Sequence, residues 1–108
     1  MDRSTCVRDY YRCLDTDDYE TLRSLLAPDF VQQRPDQSFT GRAAFISFMS
    51  SERPVSDTTH EVTAVCDASM GVAAYGCVVD SDGESLFEFI DVFRFDDDGR
   101  ITELETYA

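Results

Sequence analysis

The chain of 108 residues contains no lysine and only one histidine, His60. Its nine basic residues are all arginine and face 22 acids, for a net charge of −13. That charge repels phosphate backbones and anionic bilayers, which argues against nucleic acid and membranes as partners. No apolar run approaches the ~20 residues of a membrane span. The opening Met1-Asp2-Arg3-Ser4 reads as the polar start of a helix rather than a leader, so a cytoplasmic protein is expected. CxxC pairs, GxGxxG and P-loop motifs are missing, and no cofactor is expected. With one histidine, the cysteines Cys6, Cys13, Cys66 and Cys77 do not make a zinc site and read as small hydrophobes. Asp96-Asp97-Asp98-Gly99 lacks EF-hand spacing and reads as a turn, so no metal is expected.

Among the acids, aspartate outnumbers glutamate by about two to one. An Asp-rich, lysine-free surface predicts a protein adapted to molar salt, where screening removes the self-repulsion. The length predicts one domain over residues 1–108, large enough to bury roughly 60–70% of its extended surface without disulfides or metal.

Residues 3 to 15 predict an amphipathic helix capped by Ser4 or Thr5, with Cys6, Val7, Tyr10, Tyr11, Cys13 and Leu14 as its apolar stripe. Asp17 or Asp18 caps a second helix, Tyr19 to Leu26, which Ala27-Pro28-Asp29 stops. Phe30 to Gln33 is a short strand, and Ser38 to Thr40 another. A third helix runs from Arg42 to about Ser51, with Ala44, Phe45, Phe48 and Met49 inward. Glu52 to Asp57 is a loop around Pro54. Strands follow at Thr58–Cys66, Val72–Val79, Glu84–Phe95 and Ile101–Tyr107, the last three joined by Asp/Gly-rich hairpin turns. Three helices ahead of an antiparallel meander predict an α+β fold.

The chain is organised around the stretch from Glu84 to Phe95. Alternation along a strand puts Phe87, Phe89, Asp91, Phe93 and Phe95 on one face. One carboxyl among four phenyl rings is either at a wet cavity mouth or buried, and burial favours its neutral, hydrogen-bond-donating form. If Ala74 and Gly76 share that face, small residues oppose large rings and leave a void that a ligand, or equally a helix, would fill.

Element order and local strings are similar to the NTF2-like superfamily, in its SnoaL-like and ketosteroid-isomerase-like branch. The strings are Leu25-Leu26-Ala27-Pro28-Asp29-Phe30, Thr40-Gly41-Arg42-Ala43-Ala44-Phe45, and Ile90-Asp91-Val92-Phe93-Arg94-Phe95 running into the Asp turn. The resemblance implies a cone: three helices packed on a curved antiparallel sheet that encloses an apolar pocket, in a homodimer. It implies a small apolar ligand, with a pocket formed by Leu14, Leu26, Arg34, Phe45, Ala74, Gly76, Phe87, Phe89, Phe93 and Leu104. Tyr10, eight residues before Asp18, stands where steroid isomerases place an oxyanion-hole tyrosine, and Asp91 where they place its partner acid. That enzyme is a standard case of a carboxylic acid kept neutral at pH 7.

The isomerase base position, just before a proline, holds Arg34, which cannot accept a proton. Steroid isomerisation is therefore not expected. His60 and Asp36 are the remaining candidate bases, although a histidine at the start of a strand commonly sits at a solvated edge. The epoxide-hydrolase branch needs an arginine two residues before the strand aspartate, where Phe89 stands. Polyketide cyclases use a strand aspartate as acid/base, a role open to Asp91. Two functions follow: an isomerase- or cyclase-type enzyme in which Tyr10 and protonated Asp91 stabilise an oxyanion, or a non-catalytic dimeric module.

Overall fold

The computed structural model describes residues 2–52 and 57–108. Helix α1 spans Arg3–Thr16, and its buried stripe is the predicted set of Cys6, Val7, Tyr10, Tyr11, Cys13 and Leu14. Its cap is Asp2, whose carboxylate accepts from the Thr5 N–H, so Ser4 and Thr5 lie inside the first turn instead of capping it. The two candidate caps of the next helix divide the work. Asp17 closes α1 in the left-handed conformation at φ 56°, and Asp18 caps α2 (Tyr19–Leu25) through the Thr21 N–H.

Strand β1 runs Leu26–Gln33, beginning four residues earlier than the predicted Phe30. Proline 28 disfavours helix for the residue before it, so the chain leaves α2 already extended. Pairing with the final strand jumps from Leu26↔Ile101 to Val31↔Glu103, and Pro28, which has no N–H to donate, lies inside that irregularity. Strand β2 (Ser38–Thr40) leads through Gly41, at φ 94°, into helix α3 (Arg42–Ser51). Phe45 is the fully buried residue of α3; Phe48 and Met49 are half-buried, and Ala44 is exposed rather than inward. The loop expected around Pro54 lies largely outside the described residues.

Strands β3 (Thr59–Ala68), β4 (Gly71–Val79), β5 (Ser85–Phe95) and β6 (Ile101–Tyr107) complete one sheet of order β2-β1-β6-β5-β4-β3. The sheet is mixed: β1 pairs with β6 in parallel, where an antiparallel sheet was expected. Parallel neighbours need a crossover, and here everything from β2 to β5 serves as that connection. Irregularities at Val62/Ala64, Val78/Val79 and Arg94/Phe95 bend the strands, as bulges do, and curl the sheet around the helices. In both hairpin turns one aspartate oxygen takes two backbone N–H groups, Asp80 from Asp82 and Glu84, and Asp96 from Asp98 and Arg100, each at 2.9 Å. The aspartate runs are turn chemistry. Phe30, Phe45, Phe93, Leu22, Leu26, Ile101 and Leu104 fill the core between helices and sheet.

Candidate functional site

A cavity of about 560 Å³ opens between α1, α3 and the concave sheet. Phe87, Phe89 and Asp91 line it from β5, Tyr10 and Leu14 from α1, and Phe45 from α3. Arg34 and Asp36 line it beyond β1, and His60 from β3. Depth follows β5: Phe87 is 48% exposed at the rim, while Phe89 is 4% and Asp91 6% exposed. The parity argument holds, since Ala74 pairs directly with Asp91 and Gly76 with Phe89.

Five residues expected in the pocket wall belong to the packed core instead: Leu26, Ala74, Gly76, Phe93 and Leu104 are all buried and do not line the cavity. Tyr10 closes over Phe93 with ring centroids 5.2 Å apart, and Tyr11 does so at 5.9 Å. At Gly76 the missing side chain accommodates backbone rather than ligand. A Cβ there would stand 2.0 Å from the Glu61 carbonyl oxygen, where β3 presses in beside its irregularity.

Asp91 is the most constrained polar group of the site. The Tyr11 hydroxyl donates to its Oδ2 at 2.7 Å and the Thr106 hydroxyl donates to its Oδ1 at 2.7 Å. The helix partner of Asp91 is therefore Tyr11, not the Tyr10 expected from the resemblance. Both tyrosines lie on the buried stripe of α1, but the Tyr10 ring turns onto Phe45 and Phe93 while Tyr11 packs against Phe89 and His60. Desolvation raises the Asp91 pKa above the ordinary aspartate value, opposed by the bonds from Thr106 and Tyr11 and then by the charges of His60 and Arg34. Burial, and then the neighbouring Asp91 charge, push the Tyr11 phenol upward, so it stays protonated and donating.

His60 is not a solvated edge residue. Its side chain is 14% exposed, and its Nδ1 lies 2.6 Å from Asp15 Oδ1. Both Asp15 oxygens also accept the His60 backbone N–H at 3.1 Å, which pins the start of β3 to α1. A carboxylate can only accept, so His60 Nδ1 carries a proton directed at Asp15, which leaves Nε2 as the other ring nitrogen. Asp15 follows Tyr11 by four residues, so one edge of α1 supplies the partners of both His60 and Asp91.

Arg34 donates to Asp36 at 3.1 Å and lies over the Phe48 ring at 5.7 Å. Asp36 is thus engaged by Arg34 at the rim rather than reaching inward as a base. Sequence reasoning passed over Asp15, Thr106 and Gln32, and it attached Asp91 to the wrong tyrosine. The available signal was the i, i+4 spacing of Tyr11 and Asp15 on an otherwise apolar stripe. Nothing local marks Thr106, which reaches Asp91 through the pairing Asp91↔Thr106.

A helix-covered curved sheet enclosing an apolar cavity, with Asp91 buried in its wall, is an NTF2-like fold. More particularly, the chain belongs to the SnoaL-like domain family, whose model matches residues 7–104. A search of curated proteins finds no match. Among solved structures it is similar to an NTF2-like protein of unknown function from Cytophaga hutchinsonii, at 15% identity and TM-score 0.84, covering 99% of this chain and 89% of that one. It is also similar to a candidate ketosteroid isomerase from Kribbella flavida, at 24% identity and TM-score 0.83, covering 96% and 75%. A Mycobacterium tuberculosis protein in complex with estradiol-17beta-hemisuccinate matches at 17% identity and TM-score 0.82, covering 100% and 95%. At these identities the likeness is one of fold.

Proposed function

We propose that the cavity binds an apolar, carbonyl-bearing small molecule and moves a proton on it, with His60 as base and Asp91 as the acid facing the carbonyl oxygen. The observation that carries this reading is the Asp15–His60 contact of 2.6 Å opening on the same cavity as the buried Asp91. His60 Nε2 takes a proton from the carbon beside the carbonyl, and the electron pair passes to oxygen as an enolate. A protonated Asp91 donates a hydrogen bond to that oxygen, while Tyr11 and Thr106 hold its carboxyl in place. Return of the proton to another carbon gives an isomer, and attack of the enolate carbon on a second carbonyl closes a ring. Neither outcome needs a co-reactant. Because the Tyr11 proton is directed at Asp91, Tyr11 acts on the oxyanion through Asp91 rather than by direct contact. The steroid-ester complex of the Mycobacterium tuberculosis protein supports a ligand of this size and character.

The test is the absorption spectrum of bound naphthol in molar potassium chloride. A naphtholate spectrum in the wild type, lost in His60→Ala and in Asp91→Asn, is expected. Bound but un-ionised naphthol would overturn the proton-transfer reading. It would favour the second reading, a ligand-binding module without turnover, which Arg34 at the isomerase base position motivates.

We further propose a homodimer formed through the outer sheet face. Tyr75, Ile90 and Tyr107, each about half exposed, form one cross-strand row over β4, β5 and β6. A hydrophobic row of this kind is a candidate interface core. Val79, at the end of β4, is buried where the register shifts between Val78 and Val79, so it does not extend that row. Sedimentation at the monomer mass in molar salt would remove this proposal.

A further inference from the structure

Arg34 is the first residue of the turn between β1 and β2, where its backbone N–H donates to the Gln37 carbonyl at 2.9 Å. It is the lone arginine among the described residues that line the cavity. Its Nε donates to Asp36 at 3.1 Å and its guanidinium lies over the Phe48 ring at 5.7 Å, so one ion pair and one ring hold it in place. Other arginines of the surface are more fully engaged. Arg12, Arg94 and Arg100 each hold two carboxylates, one through Nε and one through a terminal nitrogen. Arg34 holds one, through Nε alone. Its Nη1 and Nη2 have no hydrogen-bond partner among the described residues, and neither is closed off from solvent. The side chain is 28% exposed, so a molecule in the cavity mouth can reach that end of the fork.

We propose that Arg34 is a specificity-determining residue: the Nη1 and Nη2 end of its guanidinium binds a carboxylate that the ligand carries at the cavity mouth. The inference rests on the pocket reading above and narrows it. Two parallel N–H groups match the two oxygens of a carboxylate, and an end-on approach leaves the Nε bond to Asp36 intact. A phosphate dianion would meet the Asp36 charge with one cation to offset both, so a single negative charge is the better match. The ligand class becomes an apolar ring acid, with its carboxylate at Arg34 and its carbonyl oxygen deeper, at Asp91. Desolvation raises the Asp91 pKa, and the Arg34 charge is among the influences that oppose the rise, so the field of the guanidinium reaches the buried acid. The net charge of −13 repels an anion at long range. In molar salt the screening length falls to about 3 Å, and the local contact decides.

The test compares two hydroxynaphthalene acids, a naphthoic acid and the naphthylacetic acid one methylene longer, each with its own uncharged carboxamide. Calorimetry at neutral pH in molar potassium chloride reads the ratio of acid to carboxamide affinity within each protein, for the wild type, Arg34→Gln and Arg34→Met. At least one acid is expected to bind the wild type about tenfold more tightly than its carboxamide. That preference should fall to within about twofold in both variants, with carboxamide binding retained. A wild type that favours neither acid, or a preference that survives both substitutions, overturns the inference. Loss of carboxamide binding in both variants also overturns it, since Arg34 would then be a prop of the pocket rather than a contact for the anion. Binding of no probe by the wild type overturns it together with the pocket reading. The naphtholate spectrum separates the two claims. Acid preference without ionisation removes the proton transfer and leaves Arg34 its role, whereas ionisation without acid preference removes only the role of Arg34.

Discussion

The Tyr11 hydroxyl stands 2.7 Å from Asp91 Oδ2, joining the middle of the first helix to the middle of the longest strand. Asp91 is thereby held rigidly, in an environment that opposes its charge. The same helix edge reaches His60 through Asp15 one turn later. Acid and base candidates are therefore both set by α1, although they stand on different strands.

Tyr11→Phe removes a donor from a buried carboxyl and should destabilise the fold by about 1–3 kcal/mol. It should also raise the Asp91 pKa further, because the Tyr11 bond is one of the interactions that lower it. Tyr10→Phe should leave the titration of Asp91 where it is. Denaturant unfolding and carboxyl carbon NMR of the three proteins check both points.

Asp91 also predicts a pH dependence. Its pKa in the fold is raised above the unfolded value of about 3.9. Its contribution to stability is then fullest below that unfolded value and is lost as pH rises through the folded pKa. Relative to wild type, Asp91→Asn should gain stability as the pH climbs from about 4 through the raised Asp91 pKa, and then level off. Melts of both proteins over that range measure the difference, and a constant offset would contradict the burial argument.

The surface predicts dependence on salt. Arg12 pairs with Asp9 and Asp18, Arg34 with Asp36, Arg94 with Glu103 and Glu105, and Arg100 with Asp96 and Asp98, yet a net charge of −13 remains. Screening relieves the residual repulsion, so the melting temperature should climb from dilute buffer to molar potassium chloride. Indifference to salt would contradict this reading.

Much of the architecture was legible because periodicity and turn chemistry are local. The stripe of α1, the Asp-Gly turns and the face shared by Phe89 and Asp91 are all written in short windows. The parallel pairing of β1 with β6 was not, since it depends on a contact across most of the chain. The same limit applied to the site. Two adjacent tyrosines on one buried stripe differ by a single helical step, and only the docking angle of α1 decides which meets Asp91. His60 was visible as a residue but not as a member of a pair, because Asp15 lies 45 positions earlier. Gly76 was rightly singled out as small, but what fills its space is the backbone of β3.

The most direct test of the central claim is deuterium exchange into the carbon beside the carbonyl of beta-tetralone, followed by proton NMR in molar potassium chloride. The account predicts exchange well above the buffer rate in the wild type, reduced about 100-fold or more in His60→Ala and strongly in Asp91→Asn, a loss within the usual range for removing a positioned acid or base. Exchange at the buffer rate while tetralone is shown to bind, or undiminished exchange in His60→Ala, would contradict it.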